Sequence, residues 1–374
     1  MIPLLKVPMS DRAPAAVAEV VGSGFVGQGP LVEEFEAALA AKLANPRVVT
    51  VNSGTSGLHL ALHLLAGDDD GPDGPGEVLT TPLTMEATNW AILANRLRIR
   101  WVDIDPATLN VDLDDLARKI TPRTRAVMVV HFAGYPVDLD RLQTILDEAE
   151  ARVGVRPMVI EDAAHAWRAT YRGQPIGGTH GNITVFSFQA VKHLTCGDGG
   201  LMVLPSDQLH QRASLLRWFG IRRGADRLRN PPDVPEWGFK FHLTDINAAI
   251  GLANLEYAEG VVARHRENAA FYDAALADVP GLELTERAAD RESSFWIYPM
   301  KVEDREGFIK RMDAAGIMVS NVHERNDLHT CVREYRSALP GLDRIADRIV
   351  CVPVGWWVTD EQREFIADTI ASGW

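Results

Sequence analysis

The chain has 374 residues, 46% of them hydrophobic and 24% charged, the composition of an ordinary folded protein long enough for two domains. A net charge of −13 argues against nucleic acid or an anionic membrane as a partner. Three cysteines, Cys196, Cys331 and Cys351, are odd in number and not spaced as metal pairs, so neither a disulfide framework nor a metal centre is expected.

In chain order, Glu33 to Leu43 reads as an amphipathic helix. Val48 to Val51 reads as a strand that runs through Asn52-Ser53-Gly54-Thr55-Ser56 into a helix from Gly57 to Ala66. The stretch from Asp68 to Gly76 reads as an acidic, turn-rich loop. Strands follow at Val78 to Thr81, Ile99 to Ile104, Ala126 to His131, Met158 to Glu161, Ile183 to Phe188 and Leu201 to Leu204. Helices begin near Glu86, Asp138 and Asp207. This alternation predicts a three-layer α/β/α domain with a mostly parallel sheet.

Arg217 to Glu236 changes character. It carries Arg217, Arg222, Arg223, Arg227 and Arg229 with little apolar content, and reads as a long loop. Beyond it come helical patterns at Asp245 to Gly260 and Val261 to Leu276, a strand at Trp296 to Val302, a helix at Arg305 to Ala315 and a last helix from Thr359. These predict a smaller α+β domain, 251–374, after a large domain, 1–250, whose first residues pack back on the small one.

Ligands of open α/β sheets sit where strand ends meet helix starts, and three such junctions carry polar groups. At Ser53 to Ser56, small side chains opening a helix suit a phosphate, or else simply an N-cap. At Glu161-Asp162-Ala163-Ala164-His165, a carboxylate at a strand end suits a ring nitrogen, with His165 one turn on. Here the alternatives are a capping aspartate and an interior histidine. A metal site ranks behind both, because adjacent strand residues face opposite ways.

The third junction holds Lys192, between the apolar run from Phe186 and the turn Gly197-Asp198-Gly199-Gly200. Burial there lowers an amine's pKa and frees its lone pair for imine chemistry; the alternative is a solvated lysine. A phosphate held by Ser53–Ser56 and Ser187, a ring nitrogen held by Asp162 and an imine at Lys192 together fit one molecule, pyridoxal 5′-phosphate.

These stretches resemble the DegT/DnrJ/EryC1/StrS sugar aminotransferase family of fold type I pyridoxal phosphate enzymes. The resemblance extends through Gly27-Gln28-Gly29-Pro30, Glu34-Phe35-Glu36, Val102-Asp103-Ile104-Asp105 and Ile120-Thr121-Pro122-Arg123-Thr124. It implies that Lys192 carries the imine and then shuttles the proton, that Asp162 pairs the pyridine nitrogen, and that His165 bonds the phenolic oxygen. Gly54, Thr55, Ser56 and Ser187 would hold the phosphate. Lys240, within Gly238–Asp245, would reach the phosphate of the partner subunit in a homodimer.

Two departures stand out. Met85 occupies the place where the family sets an aromatic residue over the cofactor ring, and the segment Asn321–His329 replaces a short basic motif. His323, Arg325 and His329 are its candidate substrate contacts, as are Arg217 and Arg222 for the diphosphate of a nucleotide-linked sugar. The expected reaction moves an amino group from an amino acid, L-glutamate by the resemblance, to a keto-sugar, in the cytoplasm. A keto-cyclitol acceptor, a sugar dehydratase and a cofactor-binding sensor or scaffold are the other readings; the dehydratases replace the lysine with histidine, and here the lysine is present.

Overall fold

The computed structural model describes residues 1–65, 76–178, 180–222 and 233–374. Most of the acidic loop read from the sequence, with Arg223, Arg227 and Arg229, lies outside these residues.

A seven-stranded sheet forms the centre, in the order Val48–Val51, Gly200–Val203, Ile183–Ser187, Met158–Asp162, Thr124–Val130, Glu77–Thr80, Arg98–Trp101. The five strands from Ile183–Ser187 to Arg98–Trp101 run parallel to one another. Gly200–Val203 runs antiparallel to both strands beside it. Alternate residues of each strand serve opposite cores. Val127, Val129, Val159 and Phe186 pack with Phe35, Leu142 and Leu146, while Ala126, Met128, Ile160 and Val185 pack with Leu58, Ala61 and Ile92. Both faces are therefore covered by helices, the three-layer arrangement expected.

A third core joins Tyr272, Tyr298, Met300, Phe308, Val350 and Ile366 around a three-stranded antiparallel sheet of Leu282–Leu284, Tyr298–Val302 and Ile349–Val352. Ile2 belongs to this core and pairs with Ile317, so the chain's first residues lie against its last third.

Two boundaries differ from the sequence reading in a way that matters. The helix after the first strand begins at Gly54, three residues early, because the Ser53 hydroxyl accepts the Ser56 N–H at 3.1 Å and caps it. The helical stretch from Asp245 ends at Leu255, and Tyr257–Ala275 forms one nineteen-residue helix that reaches from the large core to the third one. Among the described residues, no helix is long and apolar enough to cross a membrane.

Candidate active site

Five segments converge on a cavity of about 410 Å³ at the strand C-termini: the turn Ser53–Thr55, the segment Thr84–Thr88, the two strand ends at Asp162 and Ser187, and the run Gln189–Lys192. Trp296 and His323 close it from the last third of the chain.

Asp162 is buried at the end of its strand. Its carboxylate accepts the Thr88 hydroxyl at 2.7 Å and the Ala164 N–H at 3.0 Å, and Thr88 in turn meets the Thr84 hydroxyl at 2.9 Å. Burial pushes its pKa up, and those donors with the Lys192 charge only partly offset the shift. Glu161, one residue earlier, points into the opposite core, where His131 lies 2.8 Å away and the Asn182 amide donates at 2.7 Å. The two acids do not share a site.

The Lys192 side chain borders the cavity and is partly exposed, while its amine lies deep among protein atoms, 3.4 Å from the centre of the Trp296 indole. Burial lowers its pKa to about 7, against the pull of Asp162. An amine balanced between its two forms near neutrality can act as nucleophile, base and acid. Three rings stack beside it. His165 lies 4.0 Å from Trp296 and 5.2 Å from His323, the two imidazoles inclined by 3° with their Nε2 atoms 3.3 Å apart. Burial, with the Lys192 charge, drives His165 well below the ordinary histidine value and His323 to about 3, so both rings are neutral. Among the described residues His165 Nδ1 is buried without a hydrogen-bond partner, and such an atom is costly unless a ligand completes it.

Opposite the lysine, the helix Gly54–Leu65 presents its N-terminus, where free N–H groups and the dipole favour an anion. The backbones are pressed together there. A β-carbon at Gly54 would come within 3.0 Å of the Ser187 β-carbon, and one at Gly200 within 2.7 Å of the Gly54 nitrogen. Gly54, Thr55 and Ser187 line the cavity. Ser56 does not; its hydroxyl meets that of Ser53 at 3.0 Å. Met85, half exposed, precedes the helix Glu86–Ala94 and lines the rim.

Of the five candidate substrate contacts, only His323 enters the cavity. Arg217 is buried elsewhere, paired with Glu36 and donating from Nη1 to the Thr50 carbonyl at 2.8 Å, because a guanidinium taken from water needs an opposite charge. Arg222 is exposed and borders a different depression. Arg325 is held by Asp327 at 2.7 Å and Asp343 at 2.6 Å, and His329 sits 3.4 Å from Glu86 beside Trp90. Lys240 is exposed outside the cavity, on the segment whose carbonyls at Lys240 and Phe241 accept from Asn52 at 3.4 and 2.7 Å. Sequence reasoning passed over Thr88 and Trp296. The spacing of Thr84 and Thr88 was a faint signal for the first; nothing local marked the second.

The sequence profile of the DegT/DnrJ/EryC1/StrS aminotransferase family matches residues 9–371. The chain belongs to that family. The enzyme is a pyridoxal phosphate-dependent sugar aminotransferase of the fold type I architecture. It resembles the crystal structure of AtS13 from Actinomadura melliaura, with a TM-score of 0.97 and 63% identity over 100% of this chain and 99% of that one. It is also similar to the sugar aminotransferase CalS13 from Micromonospora echinospora, with a TM-score of 0.96 and 57% identity over 100% of each chain. At 25% identity and a TM-score of 0.90, it resembles Spr1654 of Streptococcus pneumoniae, whose PMP form it matches over 100% of this chain and 98% of that one. The orphaned His165 Nδ1, the carboxylate of Asp162 and the tight cradle at Gly54 and Ser187 fit such a cofactor.

Proposed function

We propose that this aminotransferase moves nitrogen from L-glutamate to the keto group of a nucleotide-linked sugar, working as a cytoplasmic homodimer whose two domains divide near residue 250. The observation that carries the site assignment is the meeting, in one cavity, of the Lys192 amine, the Asp162 carboxylate and the helix N-terminus at Gly54.

Pyridoxal phosphate supplies a reactive aldehyde and an electron-accepting ring. Gly54, Thr55 and Ser187 hold its phosphate, with Ser56 contributing helix backbone behind them. Asp162 keeps the ring nitrogen protonated, and its carboxylate, propped by Thr88, gains the counter-charge its burial lacks. His165 donates from Nδ1 to the phenolic oxygen, which requires that Nε2 accept from His323. Lys192 Nζ would take up and give back the proton of the donor's α-carbon, a task that suits an amine half protonated near pH 7. Met85, on the rim, would offer the ring a thioether where the family offers an aromatic face. His323 faces the sugar. Lys240 reaches the partner's cofactor phosphate, which its exposure beside the Asn52 turn permits.

The test loads the protein with pyridoxamine phosphate and offers keto-sugar nucleotides, following return of the aldehyde form by absorbance and ¹⁵N from labelled glutamate in the product. Amination of a nucleotide sugar is expected. Deoxygenation without nitrogen incorporation, or turnover of keto-cyclitols alone, overturns the substrate assignment; an active monomer in sedimentation overturns the homodimer.

A further inference from the structure

Trp296 walls the cavity beside the lysine and has no assigned role. Four constraints dictate its position. The residue before it, Phe295, has φ of 52°, a left-handed conformation unfavourable for a bulky side chain. The Trp296 N–H donates at 3.0 Å to the carbonyl of Ala133, itself left-handed at φ 57°. The Phe295 carbonyl is taken by His265 Nδ1 at 2.7 Å. Finally the indole Nε1–H donates at 2.9 Å to the carbonyl of Val191, the residue next to the lysine, so ring and lysine backbone move as one. Such strain persists where surrounding contacts over-determine it, and here its outcome is an indole face 3.4 Å from Lys192 Nζ. Among the described residues no hydrogen bond or ion pair engages that amine.

We propose that Trp296 is the positioning residue for Lys192, its indole face being the seat of the protonated amine whenever the lysine is not covalently engaged. This rests on Lys192 being the reactive amine. A π-face attracts an ammonium without neutralising it as a carboxylate would, so the amine is held in place yet can still give up its proton. The other groups facing Nζ are Asp162, which favours the charged form, and the neutral rings of His165, His193 and His323, which do not compensate it. Asp198 also borders the cavity. Burial lowers the lysine to about 7 against the pull of Asp162, and the proposed seat adds the attraction of the π-face to that pull.

The sign follows. Removing the π-face destabilises the ammonium, so the midpoint for deprotonation falls. The test is competitive carbamylation of the full chain, freed of cofactor, across pH, with peptide mass spectrometry following Lys192 alone. Wild type should turn reactive near pH 7. Trp296→Phe, with the weaker quadrupole, should lower the midpoint, and Trp296→Leu should lower it further, by about 1 pH unit. If the leucine variant does not fold, the phenylalanine variant still gives the sign. Unchanged or raised midpoints overturn the proposal, leaving the indole as an apolar wall. Borohydride reduction of the wild-type holoenzyme separates the underlying assignment: cofactor trapped on Lys192 supports it, and cofactor trapped on another lysine removes it.

Discussion

On one face of the strand Met158–Asp162, Glu161 is closed in by His131 and Asn182; on the other, Asp162 looks into the cavity with Thr88 and the Ala164 N–H behind it. Burial raises both carboxyls. For Glu161 the hydrogen bonds from His131 and Asn182 outweigh burial and leave its pKa below the ordinary value, whereas for Asp162 the supporting donors fall short and its pKa stays raised. His131 Nδ1 accepts the Val137 N–H at 3.1 Å, so its Nε2 carries the proton that Glu161 receives. Two identical chemistries, one residue apart, thus become a completed internal tie and an acid that still needs a partner. A carboxylate whose partners are complete stabilises the fold; one left short of partners is available to a ligand.

The largest effect belongs on the cavity side: Lys192→Ala should lower amino-product formation by on the order of 10³-fold or more, while melting of the cofactor-free protein changes little. Next, Asp162→Asn should cut turnover roughly 10²-fold, yet leave the cofactor-free protein at least as heat-stable at pH 7. An acid with a raised folded pKa loses stability as pH climbs through it, and the amide escapes that loss. Glu161→Gln should do the reverse. It should retain turnover per folded molecule and cost about 2–4 kcal/mol in denaturant unfolding, because His131 loses its ionic acceptor. If the two variants behave alike, the faces are not distinct.

The pH dependence sharpens the contrast. The stability Glu161 contributes is present above the ordinary carboxylate value of 4.5 and is lost as pH falls through its lower folded value, so the acid limb of a melting profile should flatten in Glu161→Gln. The smallest effect is expected at Thr88→Val, a loss of a few fold in turnover, since Asp162 keeps the Ala164 N–H. A loss as large as that of Asp162→Asn would make Thr88 part of the acid's function.

Much of the site was legible because its pieces obey short-range rules. Asp162, Ser187 and Gly54 stand where strands end and helices begin, and Lys192 stands between an apolar run and a glycine-rich turn. The candidate arginines misled for a physical reason: a charged side chain is assigned by its partner, and Glu36 and Asp343 come from other segments than Arg217 and Arg325. The Arg217 cluster looked like a loop free to meet a diphosphate, but Arg217 itself is the buried clasp of Thr50 and Glu36.

By itself the sequence determined the alternation of strands and helices, the parallel sheet it implies, and the lysine, acid and small-residue turn that one cofactor requires, because periodicity, caps and turn chemistry act within a few residues. Only the tertiary structure decided that His323 and Trp296 close the cavity, that His165 and His323 meet ring to ring, and that Glu161 is spent on His131. Those contacts join segments far apart along the chain, and what brings them together is the packing of whole elements across two cores, which no local pattern encodes.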